Sequence, residues 1–329
     1  MAAYVVRRLL YMVVTMLAIS VLVFAVIQLP PGDFITTIIN ALEARGVALG
    51  PDDVRRLEAH YGLDRPVYEQ YFVWIRNIVL YGDFGVSFEW GRPVSELIWS
   101  RLSFTILLSL AAMAFTWSVA FAIGVYTAVR QYSVGDYFFT FLGFLGLAIP
   151  NFVLALVLMY VSFRYFGQSV GGLFSPEYVS APWSWGRVMD LLAHIWIPIV
   201  IIGTAGTASL IRIMRANLLD ELRRPYTVTA RAKGVPERKA LLKYPVRLAL
   251  NPFVSTVGWM LPATISGETI ISVVLSLPTT GPLLLRAMQV QDMYLAGSFL
   301  LILGLLTVVG TALSDLLLAW LDPRIRYEK

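Results

Sequence analysis

The sequence predicts an all-α integral membrane protein with six transmembrane helices and both termini on the cytoplasmic side. Three observations predict it. The 329 residues are 58% hydrophobic and only 14% charged, against about 25% charged in an average soluble chain. Six long apolar runs carry one acid between them, Glu268. The basic residues gather at the ends of those runs, on alternate sides.

A helix rising 1.5 Å per residue needs about 20 apolar residues to cross a hydrocarbon core of about 30 Å. The runs Leu9–Leu29, Leu102–Val129, Tyr137–Phe163, Leu191–Ile211, Leu248–Leu277 and Met293–Ser314 meet that length. The first follows Arg7 and Arg8. It outlasts the core of about 7–15 residues in a signal peptide and no small-residue cleavage site follows, so it reads as a retained span. Residues 30–101 hold seven Arg against ten Asp or Glu and read as external, whereas residues 212–247 hold ten Arg or Lys against three acids and read as internal. Arg324, Arg326 and Lys329 place the tail inside as well. Three regions result: 1–29, the N-terminus and first span; 30–101, an external segment; and 102–329, the core of spans two to six with the loop 212–247.

In the external segment, Asp64 is suited to cap a helix beginning at Pro66. Tyr68, Tyr71, Phe72, Trp74, Ile75 and Ile78 would form its broad apolar side. Such a helix either packs on the spans as a lid or lies along the headgroups. Arg164 and His194 sit at external span ends, positions from which long or ring side chains reach water. Gly203, Gly206 and Ser209 in the fourth span, Gly258 and Gly267 in the fifth, and Gly297, Gly304 and Gly310 in the sixth permit close helix approach, and Pro252 and Pro262 weaken the fifth span.

The composition also excludes functions. The chain has no cysteine, so thiolate metal sites and cysteine nucleophiles are ruled out. His60 and His194 match no metal-ligand spacing. The four lysines, Lys233, Lys239, Lys243 and Lys329, are followed by Gly, Ala, Tyr and nothing, so no Gly-Lys-Ser/Thr phosphate loop exists. No catalytic residue, metal ligand or cofactor site is assigned. The net charge of +5 is accounted for by orientation in the bilayer, without nucleic acid.

The stretch 224–247, RPYTVTARAKGVPERKALLKYPVR, concentrates seven basic residues and one acid, Glu237. Pro225 and Pro236 suit first turns of helices and Gly234 suits a left-handed C-terminal cap, so the pattern predicts two short helices about a glycine turn. One reading is a basic anchor on anionic headgroups. The other is a shaped protrusion that fits a protein partner, because an anchor needs neither the glycine nor the two prolines.

At Thr229–Gly234, TARAKG, with Asn251-Pro252 behind, the chain resembles the coupling loop of ABC-importer permeases, and specifically the B-type subunit of the peptide and oligopeptide permease family. LPPGDF (Leu29–Phe34), YGLDRPVYEQYFVWI (Tyr61–Ile75), GDFGVSF (Gly82–Phe88), RPVSELI (Arg92–Ile98), LAIPNF (Leu147–Phe152), SLPTTG (Ser276–Gly281) and DPRIRY (Asp322–Tyr327) carry the resemblance along almost the whole chain. It implies a type I ABC-importer permease fold and a heterodimer with a second homologous permease. It further implies two cytoplasmic ATPase subunits and an extracellular solute-binding protein. Thr229, Ala230, Arg231, Ala232, Lys233 and Gly234 match the motif that docks on the ATPase. Small side chains at 230, 232 and 234 permit close approach, and Arg231 and Lys233 can supply charge-assisted hydrogen bonds. Peptides are the solute the resemblance implies, although related permeases move oligosaccharides and nickel complexes. The chain departs from the family in having Val228 for a Glu, Tyr244-Pro245 for His-Ala, Arg247-Leu248 for Arg-Asn, and Thr279-Thr280 for Gly-Leu.

Glu268 is the remaining candidate, since an ionisable residue within a span is a functional site by default. Solute path or gate, pairing to a neighbouring helix, and proton coupling are the three readings. Pro278 and Gly281, in the SLPTTG motif, are further path or gate candidates. An intramembrane enzyme would require a nucleophile and base or a metal cluster at common depth, and the spans hold none. A structural or receptor protein would have no use for the glycine-hinged protrusion.

Overall fold

A computed structural model of the chain describes residues 2–29, 34–44, 50–61, 63–167 and 171–321. Side chains at 257–259, 261–262 and 264–267 lie outside the description, as do Pro30–Asp33 of LPPGDF and all of DPRIRY. The described residues form fourteen helices, and the nearest approach to a strand is one antiparallel bridge, Val86 to Pro93. They group into two units, Met1–Thr105 with Thr279–Val308, and Ile106–Pro278 with the chain from Val309 onward.

The first unit begins with α1 (Ala2–Gln28), which is apolar on all sides, with Leu10, Val14 and Leu22 more than half exposed. A helix with that surface needs lipid around it. Then come α2 (Phe34–Glu43), α3 (Pro51–Tyr61) and α4 (Val67–Tyr81). The helix predicted within residues 30–101 is therefore present, but Asp64 does not cap it. Pro66 occupies the N-cap without a side-chain bond, and its carbonyl accepts from the Glu69 and Gln70 N–H groups. Gly82, at φ +65°, closes the helix. Its predicted apolar side divides in two. Tyr71, Trp74, Ile75 and Ile78 pack with Phe24 of α1 and with Leu301, while Tyr68 and Phe72 stay exposed. The Tyr71 hydroxyl also reaches Ser20 Oγ at 2.9 Å. Helix α4 is thus a cover fastened to its own unit rather than a free surface helix.

Helix α5 (Val94–Val129) carries the chain into the second unit. There α6 (Val134–Ala148) and α7 (Asn151–Phe166) replace the expected single span Tyr137–Phe163, and they meet at 103°. Proline is the cause. Pro150 has no N–H for the helical ladder, and its ring forces Ile149 out of helical geometry, to φ −88° and ψ 120°.

Helix α8 (Trp185–Leu222) overruns the apolar run Leu191–Ile211 at both ends. The following segment is α9 (Pro225–Ala232), α10 (Glu237–Lys243) and α11 (Pro245–Ser255), and the expected fifth span divides between α11 and α12 (Val257–Val274). The chain closes through α13 (Thr280–Gln289) and α14 (Met293–Leu321).

Among the described residues, four helical stretches are long and apolar enough to cross a membrane: Arg7–Gln28, Val94–Val129, Trp185–Thr204 and Met293–Leu316. The bent pair α6–α7 makes a fifth if it is one span.

Helices that share lipid as solvent gain nothing from hiding apolar surface, so their packing depends on close contact. A Cβ at Gly124 of α5 would lie 2.7 Å from Met214 Cβ, and one at Gly203 of α8 would lie 2.5 Å from Phe115 Cδ1. Thr116 Oγ1 meanwhile donates to the Gly203 carbonyl at 2.9 Å. Farther along, Leu210, Met214 and Leu218 of α8 form a buried core with Val246, Ala249 and Phe253 of α11. Trp117 of α5 meets the Phe253 ring edge-on at 5.1 Å.

Candidate functional site

The basic segment starts where α8 stops. The Arg223 and Arg224 N–H groups donate back to Asp220 and Glu221 at 3.3 Å each, and Pro225 then opens α9 at its first position. A missing N–H costs nothing there, because the first turn leaves its N–H groups unpaired in any case. Glu221 ties α9 to α8. Its carbonyl accepts from Thr227 Oγ1 at 2.9 Å, one carboxylate oxygen accepts from the Tyr226 hydroxyl, and the other lies 3.9 Å from the Arg224 guanidinium. Burial, then the Glu221 carboxylate, push the Tyr226 phenol up to about 12, so it remains a donor at any physiological pH.

Helix α9 ends in a Schellman motif. The Val235 N–H reaches the Ala230 carbonyl at 3.2 Å and the Gly234 N–H reaches Arg231 at 2.9 Å, with Gly234 at φ +75°. A residue without a Cβ takes that left-handed geometry at the least cost. Pro236 is the N-cap of α10. Two short helices about a glycine turn are therefore what the sequence predicts and what the chain forms. Thr227, Ala230 and Ala240 are buried at the base, while Arg231, Ala232, Lys233 and Gly234 are exposed at the turn.

One expectation changes. Arg231 is already engaged within the chain, donating to Glu237 at 2.6 and 3.1 Å. Lys233 takes part in no salt bridge among the described residues, so it is the available cation of the motif. Thr229 Oγ1 donates to the Pro225 carbonyl at 2.8 Å, a helix-internal bond.

The path candidates lie on other elements. Glu268 of α12 is fully buried and accepts from Ser109 Oγ of α5 at 3.4 Å. Helix α12 closes in a second Schellman motif, with Leu277 N–H on the Ser272 carbonyl at 2.8 Å and Ser276 at φ +53°. Pro278 follows, half-buried. Gly281 is buried in the first turn of α13, beside Thr280, whose N–H donates to Thr105 Oγ1 at 3.0 Å.

Sequence patterns do not single out two clusters that the structure builds. One is the Glu221 group. The other is Asp136 at the start of α6, which accepts from the Tyr132 N–H at 2.9 Å and from Arg215 Nη2 of α8 at 2.9 Å, while its own N–H donates to Ser133 Oγ. The spacing Ser133-x-x-Asp136 is a helix-start signature legible in the sequence. The arginine partner is not.

Residues 120–327 match the family described as binding-protein-dependent transport system inner membrane component, and residues 1–111 match its N-terminal companion. The oligopeptide transport system permease protein AppB of Bacillus subtilis is 36% identical over 329 residues, covering 99% of this chain and 100% of that protein. The oligopeptide permease OppB of Haemophilus influenzae is 30% identical, covering 99% and 100%. The dipeptide permease DppB of Escherichia coli is 30% identical, covering 100% of both chains. With the two matches spanning most of its length, the chain belongs to the binding-protein-dependent transport system inner membrane component family, the permeases of ABC importers.

Proposed function

We propose that this chain is one of two paired permease subunits of an ABC importer of short peptides, and that Thr229–Gly234 is the element that couples it to a separate ATPase. The observation that carries the reading is the turn at Gly234. It is an exposed, cationic corner held at a set angle by a Schellman motif and an ion pair, on a base that is buried and bonded to α8. Such a corner transmits a push to α8 and α11 without bending first. A surface anchor would need no such bracing.

The remaining assignments follow from this reading and from charge. The chain crosses the membrane six times with both termini inside; 1–29 holds the first span, 30–101 is external, and 102–329 is the core, with the loop 212–247 facing the cytoplasm. Two cytoplasmic ATPase subunits hydrolyse ATP, since no lysine here precedes Ser or Thr. A second permease completes the path and an external binding protein delivers the solute. Glu268, Pro278 and Gly281 border that path, Glu268 being held in place by Ser109. Peptides are the solute class, on the strength of the activities named for the relatives.

The test is Gly234→Trp in vesicles containing the assembled transporter. The variant is expected to reach the membrane while ATP hydrolysis no longer drives uptake. Normal accumulation of labelled dipeptide would refute the coupling role.

A further inference from the structure

Helices α6 and α8 lie side by side within the second unit. The Asp136 carboxylate accepts from Arg215 Nη2 at 2.9 Å, a Cβ at Gly143 would lie 3.7 Å from Ala208 Cβ, and one at Gly146 would lie 3.1 Å from Thr204 Cγ2. Rising numbers on α6 therefore meet falling numbers on α8, so the seam has a charged end and an apolar end. From Asp136 to Leu147 it extends about 16 Å, at 1.5 Å per residue.

A groove of about 220 Å³ opens along this seam. Phe139, Gly143, Phe144 and Leu147 of α6 line it together with Ala208 and Ile211 of α8, and Thr140, Arg212 and Arg215 complete the lining. The two arginines stand three residues apart on α8 and so share one of its faces. Arg212 is exposed and takes part in no ion pair among the described residues. Arg215, its side chain 29% exposed, engages Asp136 through Nη2, which leaves the rest of its guanidinium for a ligand. A third cation stands at the same end. Exposed Arg130 lies 5.7 Å from the centroid of the Tyr126 ring, which in turn meets the Phe139 ring edge-on at 5.7 Å. Asp136 offsets one of these three charges, and the end stays positive.

The surroundings select the form in which an anion arrives. Phe138, Phe141 and Leu142 beside the groove are exposed, and no charged residue follows Asp136 in α6. Such a surface belongs in lipid. Arg212 is the first charged residue after the apolar run Leu191–Ile211, which sets it and Arg215 at the level of the headgroups, with exposed Phe144 and Leu147 deeper among acyl chains. An anion with an apolar tail matches both ends of the groove. A soluble anion matches only one.

We propose that the α6–α8 groove seats one anionic phospholipid, its phosphate on Arg212 and Arg215 and one acyl chain along Phe144 and Leu147, in the leaflet on the side of the basic loop 212–247. Arginine suits this role because its planar fork can donate two parallel hydrogen bonds to a phosphate. The seat is independent of which solute is carried and of any ATPase.

The test is native mass spectrometry of the full chain in a neutral detergent, titrated with dioleoyl phosphatidylglycerol, dioleoyl phosphatidylcholine and glycerol phosphate. One phosphatidylglycerol is expected to bind about fivefold or more tightly than phosphatidylcholine, and glycerol phosphate is expected not to displace it. Arg212→Gln should lower phosphatidylglycerol affinity about fivefold, the share of one arginine at an anionic headgroup, and leave phosphatidylcholine unchanged. The residue is exposed and outside any ion pair among the described residues, so this variant does not put the fold at risk. Gly143→Leu fills the groove without touching a charge and should weaken both lipids. Leu147→Gln, at an exposed position of the apolar end, should do the same and covers the case in which the larger side chain at 143 unfolds the protein. Equal binding of the two lipids, or affinity indifferent to Arg212→Gln, would overturn the proposal. So would affinity lowered by Arg212→Gln yet indifferent to both groove variants, because surface charge alone would then hold the lipid. Displacement by glycerol phosphate would make the occupant a soluble anion, and a dimer of this chain that shuts the lipid out would make it a second copy; either result sinks the lipid seat. ATP coupling at Gly234 is not read by this titration, so its assignment stands or falls separately.

Discussion

The Arg231 guanidinium donates two hydrogen bonds across the Gly234 turn to the Glu237 carboxylate, at 2.6 and 3.1 Å. The geometry is bidentate, but the side chains are 44% and 64% exposed. Water screens such a pair, so its coupling energy is expected at about 0.2–1 kcal/mol. A double-mutant cycle of Arg231→Ala and Glu237→Ala, read by thermal unfolding in detergent, checks this. A coupling far above that range would mean that the turn is shielded from solvent.

The turn residue itself should follow backbone strain alone. A Cβ at Gly234 would meet nothing within 4 Å, while φ is +75°. Gly234→Ala should destabilise by about 1–2 kcal/mol, and Gly234→Asn by less, because Asn tolerates the left-handed region. Unfolding midpoints in the order Gly, Asn, Ala are expected. Equal midpoints would contradict the left-handed geometry.

Two glycines on facing helices should respond with opposite sign. At Gly203 a Cβ would sit 2.5 Å from the Phe115 ring, whereas at Gly143 it would sit 3.7 Å from Ala208 Cβ, an ordinary contact. Gly203→Ala is expected to cost about 1–3 kcal/mol by overpacking. Gly143→Ala should be neutral or stabilising by up to about 1 kcal/mol, from helix propensity. Reversal of that order in a thermal-shift series would overturn the packing between α8 and α5.

Asp292, between α13 and α14, is fully buried and accepts from Ser87 Oγ at 2.5 Å and from the Glu89 and Leu295 N–H groups at 3.2 Å each. Burial raises its carboxyl above the ordinary range, and these bonds only partly oppose the rise. A raised folded value means that the contribution to stability is complete below the unfolded carboxyl value, near 3.8, and is lost as pH climbs through the folded value. Wild type should therefore lose stability relative to Asp292→Asn as pH rises from about 4 to 7. Parallel melting curves of the two proteins across that interval would rule the shift out.

Local signals in the sequence were sufficient wherever structure is decided within one helical turn. Pro225, Pro236 and Gly234 specify the α9–α10 corner because each restricts the backbone at its own position. The same physics breaks the third apolar run at Ile149-Pro150, but hydropathy counts apolar mass and is blind to a missing N–H, so the run reads as one straight span. Asp64 shows the reverse error. A good capping residue lies two positions from a helix start that Pro66 already sets.

The sequence by itself determined that the chain lives in lipid, where its apolar runs fall and how the basic corner is shaped, because composition and short-range backbone restriction suffice for these. Tertiary structure decided the polar pairs: Arg215 with Asp136, 79 residues apart, Ser109 with Glu268, 159 apart, and Ser87 with Asp292, 205 apart. It also decided which face of α4 is covered. A hydrogen bond exists only when two atoms come within about 3 Å, and for residues so distant along the chain that approach is a property of how the helices pack.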